Sequence, residues 1–268
     1  MAAAHMNGLN TNQLKIWAVV TMVIDHFPYI SQNVHAEYYE FPFYLFHLIG
    51  RIAAPIFFYL AAAGYSRTRN PNRYTLRLLV FALISYVPYV WYFKGAPPNA
   101  ENFMELNVIF TMLFGVLILR AIHEIGNVPL KIGVIAFCLI VGYFTDYGIY
   151  GLAFIIAFSF AHGRKGLTAL LFALVVIVRA VYELSDVFAA GGAGWAWFLA
   201  DPQNRAYLMV VAAQFLPLIL ILLHRDIRRS PEPRPGAFGK WFFYVFYPLH
   251  ISVFLIIRVV MAPSLSFF

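Results

Sequence analysis

Residues 206–223 read AYLMVVAAQFLPLILILL, eighteen consecutive positions with one polar amide, Gln214, and no charge. An α-helix rises 1.5 Å per residue, so this stretch is about 27 Å long, close to the hydrocarbon thickness of a bilayer. Runs of similar character recur over roughly 13–32, 43–65, 75–93, 104–122, 128–145, 149–162, 166–184 and 239–262. With 206–223 they predict an all-α polytopic integral membrane protein of about nine transmembrane helices. The run 149–162 is short and leans on Gly148 and Gly151, which predicts a tilted span or a half-helix.

Composition leads to the same class. Of the 268 residues, 62% are hydrophobic and only 12% charged. Soluble domains carry about 25% charged residues. A soluble chain of this length has no core large enough to hide so much apolar surface. The net charge of +7 does not indicate nucleic acid, because the basic residues sit in short turns between apolar runs. The one cysteine, Cys138, lies inside such a run and has no internal disulfide partner. Met1 to His5 read as a cloning scar ahead of a native Met6, and 6–268 as a single membrane domain. No cleavable signal peptide is expected, no repeat period stands out, and the Pro- and Arg-rich stretch Arg225 to Lys240 reads as an exposed loop.

Lys and Arg set orientation. With nine spans and a cytoplasmic N-terminus, fourteen basic residues collect on the cytoplasmic side, among them Lys15, Arg67, Arg69, Arg73, Arg77, Arg120, Lys131, Arg164 and Arg225. The opposite loops hold two, Lys94 and Arg205, while Arg51, Arg179 and Arg258 fall within spans.

Ionisable side chains at membrane depth are costly and mark functional sites. Asp25 and His26 lie about ten residues past Lys15, which is roughly 15 Å along a helix. Arg51 lies at a similar depth on the second run, with His47 one turn before it, and His250 at a similar depth on the last run, with Tyr247 three residues earlier. Three helices therefore bring Asp25, His26, Arg51 and His250 to one level. Asp25 and His26 are adjacent, so their side chains diverge by about 100° and do not form a direct dyad. Asp25 is expected to pair with Arg51 or to orient His250. The competing view is an Asp25–Arg51 pair that only locks two helices together.

A second cluster, Arg67, Arg69, Arg73 and Arg77, sits at the cytoplasmic turn before the third run. It serves topology, and guanidinium forks also suit phosphate oxygens. Weaker signals are Asn107 and Thr111, one turn apart on the fourth run, and Asp146 in the far-side Asp146-Tyr147-Gly148 turn. Pro248 is expected to loosen the helix before His250. Tyr38, Tyr39, Tyr89, Trp91, Tyr92, Trp195 and Trp197 read as interfacial aromatic belts, and His123, His162 and His224 as surface histidines. P-loop, GxGxxG, HExxH and GxSxG motifs are absent, and the isolated His residues lack metal-ligand spacing, so no metal is expected.

These stretches resemble the TraX family. The likeness runs in order through Leu14-Lys15-Ile16, Ile24-Asp25-His26, Gly50-Arg51-Ile52-Ala53-Ala54-Pro55-Ile56-Phe57, Thr68-Arg69-Asn70 with Tyr74 and Leu76-Arg77-Leu78, and Ala82-Leu83-Ile84-Ser85. It continues through Leu106-Asn107-Val108-Ile109-Phe110-Thr111, Asp146-Tyr147-Gly148 and Phe243-Tyr244-Val245-Phe246-Tyr247-Pro248-Leu249-His250. TraX proteins are associated with conjugation, and the family's namesake N-acetylates pilin. They are distantly similar to membrane-embedded acyltransferases that use an intramembrane His and an acyl-CoA.

The resemblance implies a membrane acetyltransferase, in the bacterial inner membrane, moving acetyl from cytoplasmic acetyl-CoA to an amine or hydroxyl on a pilin or envelope molecule. Acetyl-CoA would be a co-substrate, and the partners would be that acceptor and membrane lipids, with no nucleic acid. Arg67, Arg69, Arg73 and Arg77, with Arg225, Arg228 and Arg229 as further candidates, would hold the nucleotide end. His26 would be general base, with Asp25, His250 and Arg51 as catalytic partners. Arg51 or Asn107 would stabilise the oxyanion, and Thr111, Asp146 and Tyr247 would complete the substrate side. A proton-coupled transporter and a non-catalytic assembly factor are the alternatives. Against the transporter, no inverted repeat and no matching pair of broken helices is expected.

Overall fold

A computed structural model describes residues 8–30, 42–161, 163–225 and 237–265. Among these the fold is all helical, with isolated bridges joining Leu9 to His224 and Leu106 to Thr145. The helices are α1 Thr11–His26, α2 Phe43–Gly50, α3 Ala53–Arg67, α4 Pro71–Lys94, α5 Val108–Glu124, α6 Val128–Gly142 and α7 Gly148–Ala161. There follow α8 Lys165–Glu183, α9 Ser185–Ala189, α10 Gly191–Ala200, α11 Pro202–Ala213, α12 Leu216–Leu223 and α13 Ala237–Leu265. Met1 to His5, Tyr38, Tyr39, His162, Arg228 and Arg229 lie outside the described residues.

Short polar side chains start five of these helices. Asn10 and Gln13 form a reciprocal capping box on α1, each side chain bonded at 2.8 Å to the other residue's backbone N–H. Asn70, Asn107, Asn127 and Asp201 cap α4, α5, α6 and α11. Pro71 and Pro202 occupy first helical positions, where no N–H is needed. Gly95, in the left-handed region at φ 78°, ends α4.

Five helical stretches are long and apolar enough to cross a membrane: Phe43–Arg67, Pro71–Lys94, Lys165–Glu183, Pro202–Leu223 and Trp241–Met261. The other predicted runs are helical but shorter, α1, α5, α6 and α7 having 16, 17, 15 and 14 residues. The outer surface carries large apolar side chains such as Ile132, Leu170, Ile177, Ile219 and Ile256. That surface suits lipid and would be costly in water. Two long stretches are interrupted where the sequence predicts continuous spans, one at Arg51–Ile52 between α2 and α3, the other at Gln214–Phe215 between α11 and α12. The segment after α8, expected as a loop, forms the short helices α9 and α10. Helix α13, by contrast, runs unbroken through Pro248.

Helices α1, α3, α5 and α7 form the centre, with α13 laid along α4 and touching α1. Small residues let the backbones approach. Ala53, Ala54, Ala61, Ala62 and Ala63 are buried on α3, and a Cβ on Gly151 of α7 would overlap the Thr111 methyl of α5. Tyr89 and Tyr92, expected at an interface, are only 5% and 0% exposed and belong to the core. His224 is likewise buried, with Thr11 Oγ1 3.2 Å from Nε2 and Tyr59 Oη 3.0 Å from Nδ1. Hydroxyl partners on both ring nitrogens let it leave the surface.

Candidate active site

Asp25, near the end of α1, is the hub of the buried polar cluster. Its Oδ1 accepts from His47 Nδ1 at 2.8 Å, and Oδ2 forms an ion pair with Arg51 at 3.5 Å. His47 is completely buried. The expected Asp25–Arg51 pairing is present, but Asp25 does not orient His250. His47, one turn before Arg51, takes that place, and both side chains reach the carboxylate. Arg51 Nε donates to the His47 carbonyl at 3.3 Å, tying both partners of the carboxylate together. Gly50 permits the approach, since a Cβ there would overlap the Asp25 carboxyl.

His26 points to a different neighbour. Its Nδ1 lies 2.9 Å from His250 Nε2, and the rings stack with a 14° interplanar angle. His250 Nδ1 is 3.0 Å from the Phe246 carbonyl. A carbonyl only accepts, so His250 carries its proton on Nδ1, and neutral His250 presents a lone pair at Nε2. His26 Nδ1–H therefore donates to it, and neutral His26 keeps its own lone pair on Nε2. Asp25 and His26 act in separate pairs, as the 100° divergence predicts.

Two cavities adjoin this cluster. The larger, about 790 Å³, is lined at one end by Lys15, Arg67, Arg69, Arg73 and Arg77 and at the other by Met22, Phe57 and Tyr247. From Arg67 to Phe57 is ten residues along α3, or roughly 15 Å. The smaller, about 180 Å³, is lined by Asp25, His26, Arg51, Asp146 and Tyr247 among others. No described carboxylate forms a salt bridge with Arg67, Arg69, Arg73 or Arg77. Arg77 lies over the Tyr74 and Tyr244 rings, and its buried Nε has no hydrogen-bond partner among the described residues. Arg225 is not part of this wall: its Nε donates to the Gly8 carbonyl at 2.7 Å.

The weaker candidates divide. Asp146 does line the small cavity. It is an exposed residue, hydrogen-bonded to Tyr89. Tyr247 lines both cavities. Asn107 is fully buried and lines neither; its Oδ1 caps α5 through Ile109 N–H and its Nδ2 donates to the Ala82 carbonyl at 2.9 Å. Its amide joins α5 to α4 in helix packing. Thr111 is also buried away from both cavities, at the Gly151 crossing.

Three contributors were not singled out as site residues. His47 had a visible signal, standing four positions before Arg51. Tyr92 donates its hydroxyl to the His26 carbonyl at 2.7 Å, and Arg258 Nη1 donates to the Tyr92 carbonyl. Nothing local distinguishes Tyr92 from a belt tyrosine; only packing of α4 against α1 and α13 does. Among the described residues no group of three His, Cys, Asp or Glu side chains is placed to hold a metal ion.

The chain matches the model of the family described as "TraX protein" over residues 10–258. It is similar to a protein of Dichelobacter nodosus named "Probable fimbrial assembly protein FimC, serogroup H1", with 25% identity over 246 residues covering 90% of this chain and 92% of the relative. No solved structure matches it.

Proposed function

This chain belongs to the TraX family, and from that premise we propose that it is a membrane-embedded acetyltransferase acting on a fimbrial or pilin-type acceptor. The family link and the fimbrial relative support a pilin-related membrane protein. One observation carries the enzymatic step. Four arginines with no carboxylate partner among the described residues line one end of a cavity whose other end shares a wall with the chamber holding His26. Guanidinium groups so gathered fit the phosphates of acetyl-CoA, and a slim thioester arm can follow the cavity inward. The topology that suits this has nine spans and a cytoplasmic N-terminus, in the bacterial inner membrane, so the arginines meet the donor where it is made.

The chemistry follows from the hydrogen-bond pattern. His26 Nε2 takes the proton of the acceptor amine or hydroxyl as it attacks the thioester carbonyl. The positive charge formed on His26 is shared through Nδ1–H with His250 Nε2. Arg51, on the chamber wall, supplies positive charge beside the developing oxyanion. Collapse of the intermediate expels the thiolate, which recovers the proton from His26. Asp25 holds Arg51 and His47 in place and takes no proton itself.

A second reading, a non-catalytic assembly factor, is favoured by the name of the fimbrial relative. Membranes containing the protein, incubated with radiolabelled acetyl-CoA and fimbrial subunit, distinguish the two. Label transferred to the subunit by wild type but not by His26→Ala supports the enzyme. Subunit assembly that proceeds without label, and equally with His26→Ala, supports the assembly factor.

A further inference from the structure

Four side chains wall both cavities at once: Met22 on α1, Phe57 on α3, Val108 at the start of α5 and Tyr247 on α13. They form the partition between a large outer space and a small polar chamber. Val108 and Tyr247 make the fixed half. Val108 follows the Asn107 cap, and the Tyr247 hydroxyl is hydrogen-bonded to the Val108 backbone. Met22 and Phe57 make the apolar half, where Met22 can change rotamer readily.

The two sides differ in chemistry as well as size. The inner chamber, about 180 Å³, presents Asp25, His26, Arg51 and Asp146. The outer, about 790 Å³, presents Leu60, Leu78, Ile109 and Met112 beneath its basic mouth. A thioester that reaches His26 brings its acyl carbons into the inner chamber beside the acceptor. Alkyl carbons pressed against charged side chains strip water from them without replacing its hydrogen bonds, and this is costly.

Resting on the acetyltransferase reading, we propose that the partition formed by Met22, Phe57, Val108 and Tyr247 is an acyl-length gauge, which admits acetyl thioesters and rejects long ones. The rejection comes from a narrow passage at the apolar half and a small, charged space beyond it. Truncating Phe57 or Met22 widens the passage and gives a longer chain an apolar refuge in the outer cavity.

The test is calorimetric binding of CoA, acetyl-CoA and hexanoyl-CoA to the full chain in detergent, as wild type, Phe57→Ala and Met22→Ala. Wild type is expected to bind hexanoyl-CoA at least about tenfold more weakly than acetyl-CoA, the scale of an overpacked site. Both variants are expected to close that gap. Equal binding of the two acyl-CoAs by wild type overturns the gauge and leaves the donor site standing. So does a gap that neither variant narrows. Should Phe57→Ala not fold, Met22→Ala decides alone. Absence of binding by CoA and both acyl-CoAs removes the donor site, and the gauge goes with it.

Discussion

His26 Nδ1 and His250 Nε2 are 2.9 Å apart, and the Phe246 carbonyl fixes which of the two rings donates. The free basic nitrogen of the pair is therefore His26 Nε2. Removing a general base costs about 10²–10⁴ in rate. His26→Ala and His26→Asn are expected to lose acetyl transfer by that factor while retaining acetyl-CoA binding. His250→Ala removes only the group that shares the charge, so a smaller loss is expected. Transfer of radiolabelled acetyl by purified variants checks this. Full loss in His250→Ala with activity kept in His26→Ala would reverse the two roles.

The arginine mouth predicts a graded effect on the donor. A hydrogen bond to a charged group contributes about 1.5–3 kcal/mol, or roughly ten- to a hundredfold in binding. Arg73→Gln and Arg77→Gln are each expected to weaken acetyl-CoA by that factor, with Lys restoring part of it through charge without the fork. Calorimetry on correctly inserted protein measures it. Unchanged affinity in the double Gln variant moves the donor away from this cavity.

Gly50 and Gly133 should respond oppositely to the same substitution. A Cβ on Gly50 meets the Asp25 carboxyl, whereas one on Gly133 meets nothing within 4 Å. Gly50→Ala is expected to displace Asp25 from His47 and Arg51, lowering thermal stability by about 1–3 kcal/mol and reducing turnover. Gly133→Ala, inside α6, is expected to stabilise by about 0.5–1 kcal/mol and leave turnover alone. Thermal unfolding in detergent compares them, and equal effects would mean that Gly50 does not set the Asp25 geometry.

Topology is open to cysteine labelling, because the native Cys138 is fully buried. With nine spans and an inside N-terminus, Ala100→Cys before α5 faces outward and Gly126→Cys before α6 faces the cytoplasm. A membrane-impermeant maleimide should label the first in intact cells and the second only after permeabilisation. The reverse pattern inverts the protein and takes the arginine mouth away from cytoplasmic acetyl-CoA.

Hydropathy and charge are sums over local sequence, so the helical membrane class was readable from runs such as 206–223 without any knowledge of packing. Depth was readable too, because rise per residue is constant. That alone put Asp25, His26, Arg51 and His250 at one level. Rotation about each helix axis and the choice of neighbour depend on how helices meet, and there the sequence falls silent. Packing gave Asp25 to His47 and His250 to His26, made Tyr92 a core strut instead of a belt residue, and committed Asn107 to a cap. The break at Arg51 and the partition around Phe57 have the same origin. They arise where several helices must fit around one polar cluster, and no single helix encodes that fit.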